Sequence, residues 1–165
     1  KVPTELEKIV ATNAYRLLSI WETPPGYQKD GSVDGNTLAA WLEAVKTECR
    51  ETGHFEVAMA MVGQVLIYTP PDPDGLWIHH SAAEALNGKD AQNMRNGFKT
   101  ALYNSRGVHF SSAGKGEMAL VEKYRTKAEE VEAHGYHRLA DSLRELAGSY
   151  ERDAEWESKG GLFGE

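Results

Sequence analysis

The feature that most constrains the fold of this 165-residue chain is the recurrence of apolar side chains every three or four positions. This spacing places the apolar side chains on one face of an α-helix, and such a face is normally buried against another element. The pattern recurs in segment after segment, and no segment shows convincing alternation of apolar and polar residues, which is typical of a half-buried strand. The sequence therefore predicts an all-α fold with about seven helices.

The first helical segment shows the pattern clearly. Thr4 and Glu7 have the spacing of a capping box, and Pro24 and Pro25 are expected to stop the helix. The face predicted to be apolar contains Asn13 and five apolar residues: Leu6, Ile9, Val10, Leu17 and Ile20. We expect this face to pack against the other helices.

Further helices are delimited by proline, glycine and capping residues. A segment that is apolar on nearly every side begins near His54 and ends before Pro70, which is typical of a central, buried helix. Asp72, which precedes a proline, predicts the start of the fourth helix. Asp90 is predicted to cap the fifth helix.

The last two helices are joined by a short turn at Gly135, so we expect them to form an antiparallel hairpin. This succession of helical segments predicts an irregular bundle or a short HEAT/armadillo-like helical array with antiparallel hairpins. The length fits a single helical domain over residues 1–157. The glycine-rich segment 158–165 is predicted to be a flexible tail.

A tripeptide that occurs twice favours the array. The sequence Thr-Pro-Pro starts at Thr23 and again at Thr69, 46 residues further on, and each copy follows an apolar helix that ends in an aromatic residue. This spacing lies in the range of two-helix repeats. The alternative is an irregular bundle whose helices happen to end at prolines.

Charge and cysteine content restrict the function. The formal net charge is −7 and the sequence has no basic run, whereas nucleic acids and anionic membranes are bound by clustered Lys and Arg. The longest apolar stretch, 57–68, is shorter than the roughly 20 residues that cross a bilayer. Cys49 is the single cysteine, which excludes an internal disulfide and a thiolate-rich zinc site and suits the cytoplasm. We therefore expect a cytoplasmic protein that binds neither nucleic acid nor membrane.

His80 and Glu84 are one candidate for chemistry, because residues four apart share a helix face. Such a pair can bind a metal, or act as a base and its orienting carboxylate. The alternative is a solvent-exposed or hydrogen-bonded pair. The zincin pattern and nucleotide-binding motifs are absent, so we predict no metal, no cofactor and no catalytic residue. His134 and His137, which flank the predicted turn, are interpreted as surface residues.

Asn104, Arg106 and His109 form a second candidate, in a glycine-containing loop after the fifth helix. Functional residues often lie in loops on rigid supports, and Arg106 could bind a carboxylate or a phosphate through two parallel hydrogen bonds. Alternatively, Asn104 and Arg106 cap helix carbonyls or pair with acidic residues of a neighbouring helix. Arg95, on the preceding helix, could lie nearby.

These observations leave three hypotheses for the function. The leading one is a helical interaction or scaffold module, either alone or as a domain of a larger cytoplasmic protein, that binds a protein partner through a groove or a helix face. The alternative is an enzyme or small-ligand binder whose interhelical pocket gathers His80, Glu84, Arg106 and His109. The third is a homo-oligomer that forms through the apolar third helix or the last hairpin. Whether the chain is an enzyme is left open.

Overall fold

The computed structural model of the protein describes residues 4–107 and 114–158. These residues form seven α-helices and one isolated bridge, between Tyr27 and Val33. The helices are α1 (Glu5–Ser19), α2 (Gly35–Thr52), α3 (Phe55–Leu66), α4 (His80–Asn87), α5 (Gln92–Asn104), α6 (Lys115–Ala133) and α7 (His137–Ser158). The prediction of an all-α fold is confirmed. His109 and residues 159–165 of the predicted tail lie outside the described residues.

The contact between α3 and α5 forms the centre of the bundle. A Cβ atom at Gly63 would lie 2.8 Å from the backbone nitrogen of Phe98, and one at Gly97 would lie 2.8 Å from the Cα atom of Ala60. Both distances are shorter than van der Waals contact, so only glycine lets the two backbones approach this closely. The buried residues of α3 are Met59, Met61, Val62, Gly63, Val65 and Leu66. Helix α3 is therefore central, as its sequence predicts.

Helices α6 and α7 form the predicted antiparallel hairpin. Gly135 lies between them with φ +84°, in the left-handed region that glycine adopts without strain. Arg144 pairs with Glu132 close to the turn, and Arg125 pairs with Glu151 further from it. Helix α7 also contacts α5 and α4. The hairpin thus closes one side of the core.

Helix α4 starts later than the sequence predicts. It begins at His80, and the 72–79 segment forms an irregular turn instead of a first helical turn. The Asp72 carboxylate still accepts a hydrogen bond from the backbone nitrogen of His80, at 3.0 Å. Leu76 and Ile78 are buried within this segment. Burial of these two side chains requires the irregular path, and it outweighs the local helix-start signal.

The connection between α4 and α5 also differs from the prediction. Ala91, and not Asp90, occupies the N-cap position of α5. The guanidinium of Arg95 is buried and donates hydrogen bonds of 2.8 Å to the carbonyl oxygens of Leu86 and Gly88. Arg95 therefore satisfies carbonyls at the C-terminal end of α4, which is a structural role.

Four of the five apolar residues of the predicted α1 face are exposed, contrary to the prediction. Leu6, Ile9, Leu17 and Ile20 are 56–73% exposed, and Asn13 is exposed between them. Helix α1 contacts α3, but these side chains do not take part in the core. Periodicity shows that a helix face is apolar, but it does not show what covers that face.

The two Thr-Pro-Pro tripeptides follow α1 and α3. The next helices differ in length, since α2 has 18 residues and α4 has eight. The internal repeat stays a prediction. Among the seven helices of the described part, none combines the length and hydropathy that crossing a membrane requires.

We predict that Gly97→Ala strongly destabilises the protein. The new methyl group would meet the backbone of Ala60, which cannot move aside as a flexible side chain can, so we expect a loss of about 3 kcal/mol in the free energy of unfolding. Gly148→Ala is the matched control, because the nearest atom to its Cβ position is the end of the Arg152 side chain, at 3.7 Å. It should stabilise α7 by about 0.5–1 kcal/mol. Urea unfolding followed by circular dichroism measures both, and equal effects would contradict the close α3–α5 contact.

Candidate functional site

One candidate site lies where the 72–79 segment meets the turn between α6 and α7. Trp77 anchors the segment, because its indole N–H donates a hydrogen bond of 3.2 Å to the carbonyl oxygen of Lys127. The Lys127 Nζ atom lies 3.8 Å from the centre of the indole ring, within the range of a cation–π contact. These contacts hold the segment against the C-terminal half of α6.

Asp74, His80 and His134 come together at this place and are named here the histidine–aspartate cluster. The His80 Nε2 atom lies 2.8 Å from the Asp74 Oδ2 atom, and the His134 Nε2 atom lies 3.8 Å from the same oxygen. The two imidazole rings are 5.5 Å apart, centre to centre. One potential ligand atom from each residue lies within 4.8 Å of the others. All three side chains are partly exposed.

A second contact orients each imidazole ring. The His80 Nδ1 atom lies 2.8 Å from the hydroxyl oxygen of Tyr136, and the His134 Nδ1 atom lies 2.9 Å from the carbonyl oxygen of Glu130. Since a carbonyl oxygen only accepts, His134 Nδ1 carries a proton, and Nε2 of the neutral ring then has an unprotonated lone pair. Both rings therefore present Nε2 toward Asp74.

The electrostatics of the cluster favour a negatively charged centre. The pKa of Asp74 is lowered, first by the hydrogen bond from the backbone nitrogen of Leu76 and next by the hydrogen bond with His80. The pKa of the Tyr136 hydroxyl is raised, mainly by burial and then by nearby carboxylates, of which Glu84 acts most strongly. An ionised carboxylate beside two imidazoles can bind a proton or a metal cation.

The structure separates residues that the alternative hypothesis places in one pocket. His80 lies beside His134, directly after the last residue of α6, whereas Arg106 contacts Glu117 in the first turn of α6. His134 follows Glu117 by 17 positions, which corresponds to a rise of about 25 Å along the helix. His80 and Arg106 therefore do not line a common pocket, and His109 lies outside the described residues.

Glu84 and Asn104 also lie apart from each other. Glu84 is exposed on α4, and its charge contributes to raising the pKa of the Tyr136 hydroxyl, after burial. Asn104 is exposed at the end of α5, where it lines a shallow groove with Ser19 and Gln64. The binding roles of His80, Glu84, Asn104 and Arg106 remain predictions.

Asp74 and His134 are members of the cluster that the sequence does not single out as site residues. His134 was interpreted as a surface residue of the turn, and it is indeed partly exposed. Asp74 falls within the segment that the sequence predicts to be the start of the fourth helix. Asp74 precedes His80 by six positions. His134 is distant from both in the sequence.

Arg106 forms an ion pair with Glu117 of the neighbouring helix, which is one of the alternatives considered from the sequence. Glu117 is fully buried and the Arg106 side chain is 12% exposed. The guanidinium also lies 5.6 Å from the ring centre of Tyr150, which stacks between Tyr103 and Tyr124. Burial raises the pKa of Tyr150 to about 12. This arrangement ties the end of α5 to α6 and α7, so the arginine has a structural role.

We predict that Glu117→Met destabilises the protein by about 3–5 kcal/mol, because it leaves the charge of Arg106 largely buried without its counter-charge. The double variant Arg106→Met/Glu117→Met removes both charges and keeps apolar side chains of similar length. It should recover most of the lost free energy of unfolding, which urea titration measures. Strictly additive losses in the two single variants and the double variant would contradict the coupling.

We predict that Lys127 makes stability increase with pH in an alkaline window. Burial, and next the charge of Lys123, lower the pKa of Lys127 to about 8 from its ordinary value of 10.5. Between these values the unfolded chain holds the proton more tightly than the folded chain, so the free energy of unfolding rises with pH. Lys127→Met retains an apolar stem beside Trp77 and should flatten the profile.

The matched control for this experiment is Lys89→Met, because Lys89 is exposed. Tyrosines that titrate in the same range affect the wild type and both variants alike. The difference between the profiles therefore isolates Lys127. Parallel profiles for the wild type and Lys127→Met would refute the prediction.

Comparisons with known proteins do not place this chain in a family: no family model, no curated protein and no solved structure matches it.

Proposed function

We propose that this chain is a helical interaction module that assembles through the apolar face of α1, and that this face binds the α1 helix of a second copy. The observation that carries the proposal is the 56–73% exposure of Leu6, Ile9, Leu17 and Ile20. A contiguous stripe of large exposed apolar side chains is typical of an interaction surface.

The four side chains form a narrow and continuous stripe. Ile20 directly follows the last residue of α1, and if the spacing of 3.6 residues per turn is continued to it, the four side chains and Asn13 span an arc of about 80°. From Leu6 to Ile20 the stripe is about 21 Å long. It therefore has the shape of a seam between two packed helices.

The spacing of the stripe is the same in both directions. The intervals from Leu6 to Ile20 are three, four, four and three residues, centred on Asn13. A second helix that runs antiparallel places Leu6 against Ile20, Ile9 against Leu17, and Asn13 against its own copy. This arrangement is the self-complementary contact of a two-fold dimer. The two Asn13 amides could pair across the axis, since each has a donor and an acceptor, and a polar pair there would fix the register.

The helix dipoles also favour the antiparallel order. An antiparallel copy places the N-terminal end of one α1 helix beside the C-terminal end of the other, and it opposes the two helix dipoles favourably. By contrast, the apolar residues of α3 and of the last hairpin, which the sequence also suggested as interfaces, lie mainly inside the bundle.

Four side chains per copy form a small interface, so we predict a concentration-dependent dimer and not a permanent one. Sedimentation velocity between about 5 and 200 µM, a range suited to a dissociation constant on the order of 10 µM, should show a shift from monomer to dimer. Leu17→Glu should abolish the shift, because it places a charge in the seam. Val57→Glu is the control, since Val57 is an exposed apolar residue on another helix. A wild type that stays monomeric throughout would refute the proposal.

Disulfide trapping distinguishes the orientation of the helices. In a Cys49→Ser background, Asn13→Cys should form a symmetric cross-link at the two-fold axis. Leu6→Cys should not, because its copy lies about 21 Å away. Leu6→Cys mixed with Ile20→Cys should cross-link. Efficient self-cross-linking of Leu6→Cys would indicate parallel helices and contradict the antiparallel contact.

A further inference from the structure

We propose that Asp74, His80 and His134 form a binding site for a divalent transition metal, with Zn²⁺ as the representative ion. This inference does not depend on the function proposed for α1. It departs from the sequence analysis, which predicted no metal, because the sequence placed His80 with Glu84 and not with these partners.

The distances between the donor atoms suit a small metal ion. Zinc lies about 2.0–2.2 Å from imidazole nitrogen and carboxylate oxygen, so ligand atoms around a tetrahedral ion are about 3.3–3.5 Å apart. In the cluster, Asp74 Oδ2 lies 2.8 Å from His80 Nε2 and 3.8 Å from His134 Nε2. These values lie on either side of the required separation. Small rotations of partly exposed side chains would bring all three atoms to one ion.

The outer contacts of the rings are those expected of metal-binding histidines. A histidine ligand typically donates its other ring N–H to a carbonyl or another acceptor, which fixes the ring and leaves the second nitrogen for the metal. His134 already has this arrangement, since its Nδ1 atom faces the Glu130 carbonyl oxygen at 2.9 Å. His80 has a hydroxyl group, Tyr136 Oη, in the corresponding position at 2.8 Å.

The protons of His80 can rearrange without a net change of charge. In the metal-free cluster, Nε2–H of His80 donates to Asp74, and the Tyr136 hydroxyl donates to Nδ1. When a metal binds Nε2, the ring proton occupies Nδ1 and is donated to the Tyr136 oxygen, which can accept as well as donate. The neutral ring keeps one proton throughout. The hydroxyl partner thus allows both states, which a carbonyl oxygen would not.

The donor set favours transition metals over Ca²⁺ and Mg²⁺. Two imidazoles and one carboxylate suit Zn²⁺ and related ions, whereas calcium and magnesium prefer oxygen ligands alone. The three protein ligands carry one negative charge and leave a coordination position for water. The ion would join the 72–79 segment to the residue that follows α6, which are distant in sequence.

The test is isothermal titration of the full, untagged chain with Zn²⁺ after treatment with a chelator. We expect one ion per chain. Asp74→Asn and His134→Gln should each weaken binding at least about 100-fold, since even outer contacts change affinity about 10–100-fold. Tyr136→Phe, which removes an outer contact, should weaken it about tenfold. His137→Gln is the matched control, because His137 lies at the same turn, is 72% exposed and is no member of the cluster.

Thermal unfolding gives a second readout. At a free Zn²⁺ concentration of about one hundred times Kd, the Tm of the wild type should rise by roughly 5–10 °C, and that of His134→Gln should not. Circular dichroism verifies that each variant folds. If one of Asp74→Asn and His134→Gln does not fold, the Zn²⁺ affinity of the other tests the proposal. The proposal would be overturned if the wild type does not bind one Zn²⁺ ion per chain. It would also be overturned if His134→Gln and Asp74→Asn bind Zn²⁺ as tightly as the wild type. Leu17→Glu, designed against the α1 contact, should bind Zn²⁺ normally, so failure of one proposal is distinguishable from failure of the other.

Discussion

The backbone contact between α3 and α5 is the constraint on which the rest of the structure depends. Gly63 and Gly97 allow the two helices to approach without any side chain between them. Flanking side chains then fill the space on both sides, and Met94 and Phe98 of α5 are completely or almost completely buried there. Helix α7 packs against α5, and α6 packs against α7. The order of these layers places the two ends of α6, and with them the Arg106–Glu117 ion pair at its start and the histidine–aspartate cluster at its end.

The features that sequence reasoning predicted correctly depend on neighbouring residues. Gly135 makes the turn of the hairpin with φ +84°, because this conformation is available to glycine at little strain. The predicted start of α4 was wrong because it depends on residues that are distant in the sequence. Asp72 is a good capping residue, but the burial of Leu76 and Ile78 depends on contacts with distant helices. A local capping signal does not show whether burial against distant helices favours another path of the chain. In the same way, the local periodicity of α1 does not show whether another helix covers its apolar face.

The candidate site could be predicted only in part. His80 was selected because Glu84 lies one helical turn away, and such a relation is visible in a sequence. Its actual partners are Asp74, across an irregular turn, and His134, which is 54 positions further along the chain. The sequence shows which residues are able to bind a metal, but the tertiary fold determines which of them meet. The pairing of Arg106 with an acidic residue was among the predicted alternatives, yet the identity of that residue was not.

The apolar face of α1 and the histidine–aspartate cluster are expected to act independently. A ligand changes an assembly equilibrium only if it binds one state more tightly than the other. None of the three cluster residues lies in α1, so the monomer and a dimer formed through α1 offer the same ligand atoms. Helix α1 contacts α3, whereas the cluster belongs to the start of α4 and the end of α6. Helix α3, which α1 contacts, is packed backbone to backbone against α5 at two glycines, and such a contact leaves little room for a second arrangement that could couple the two sites.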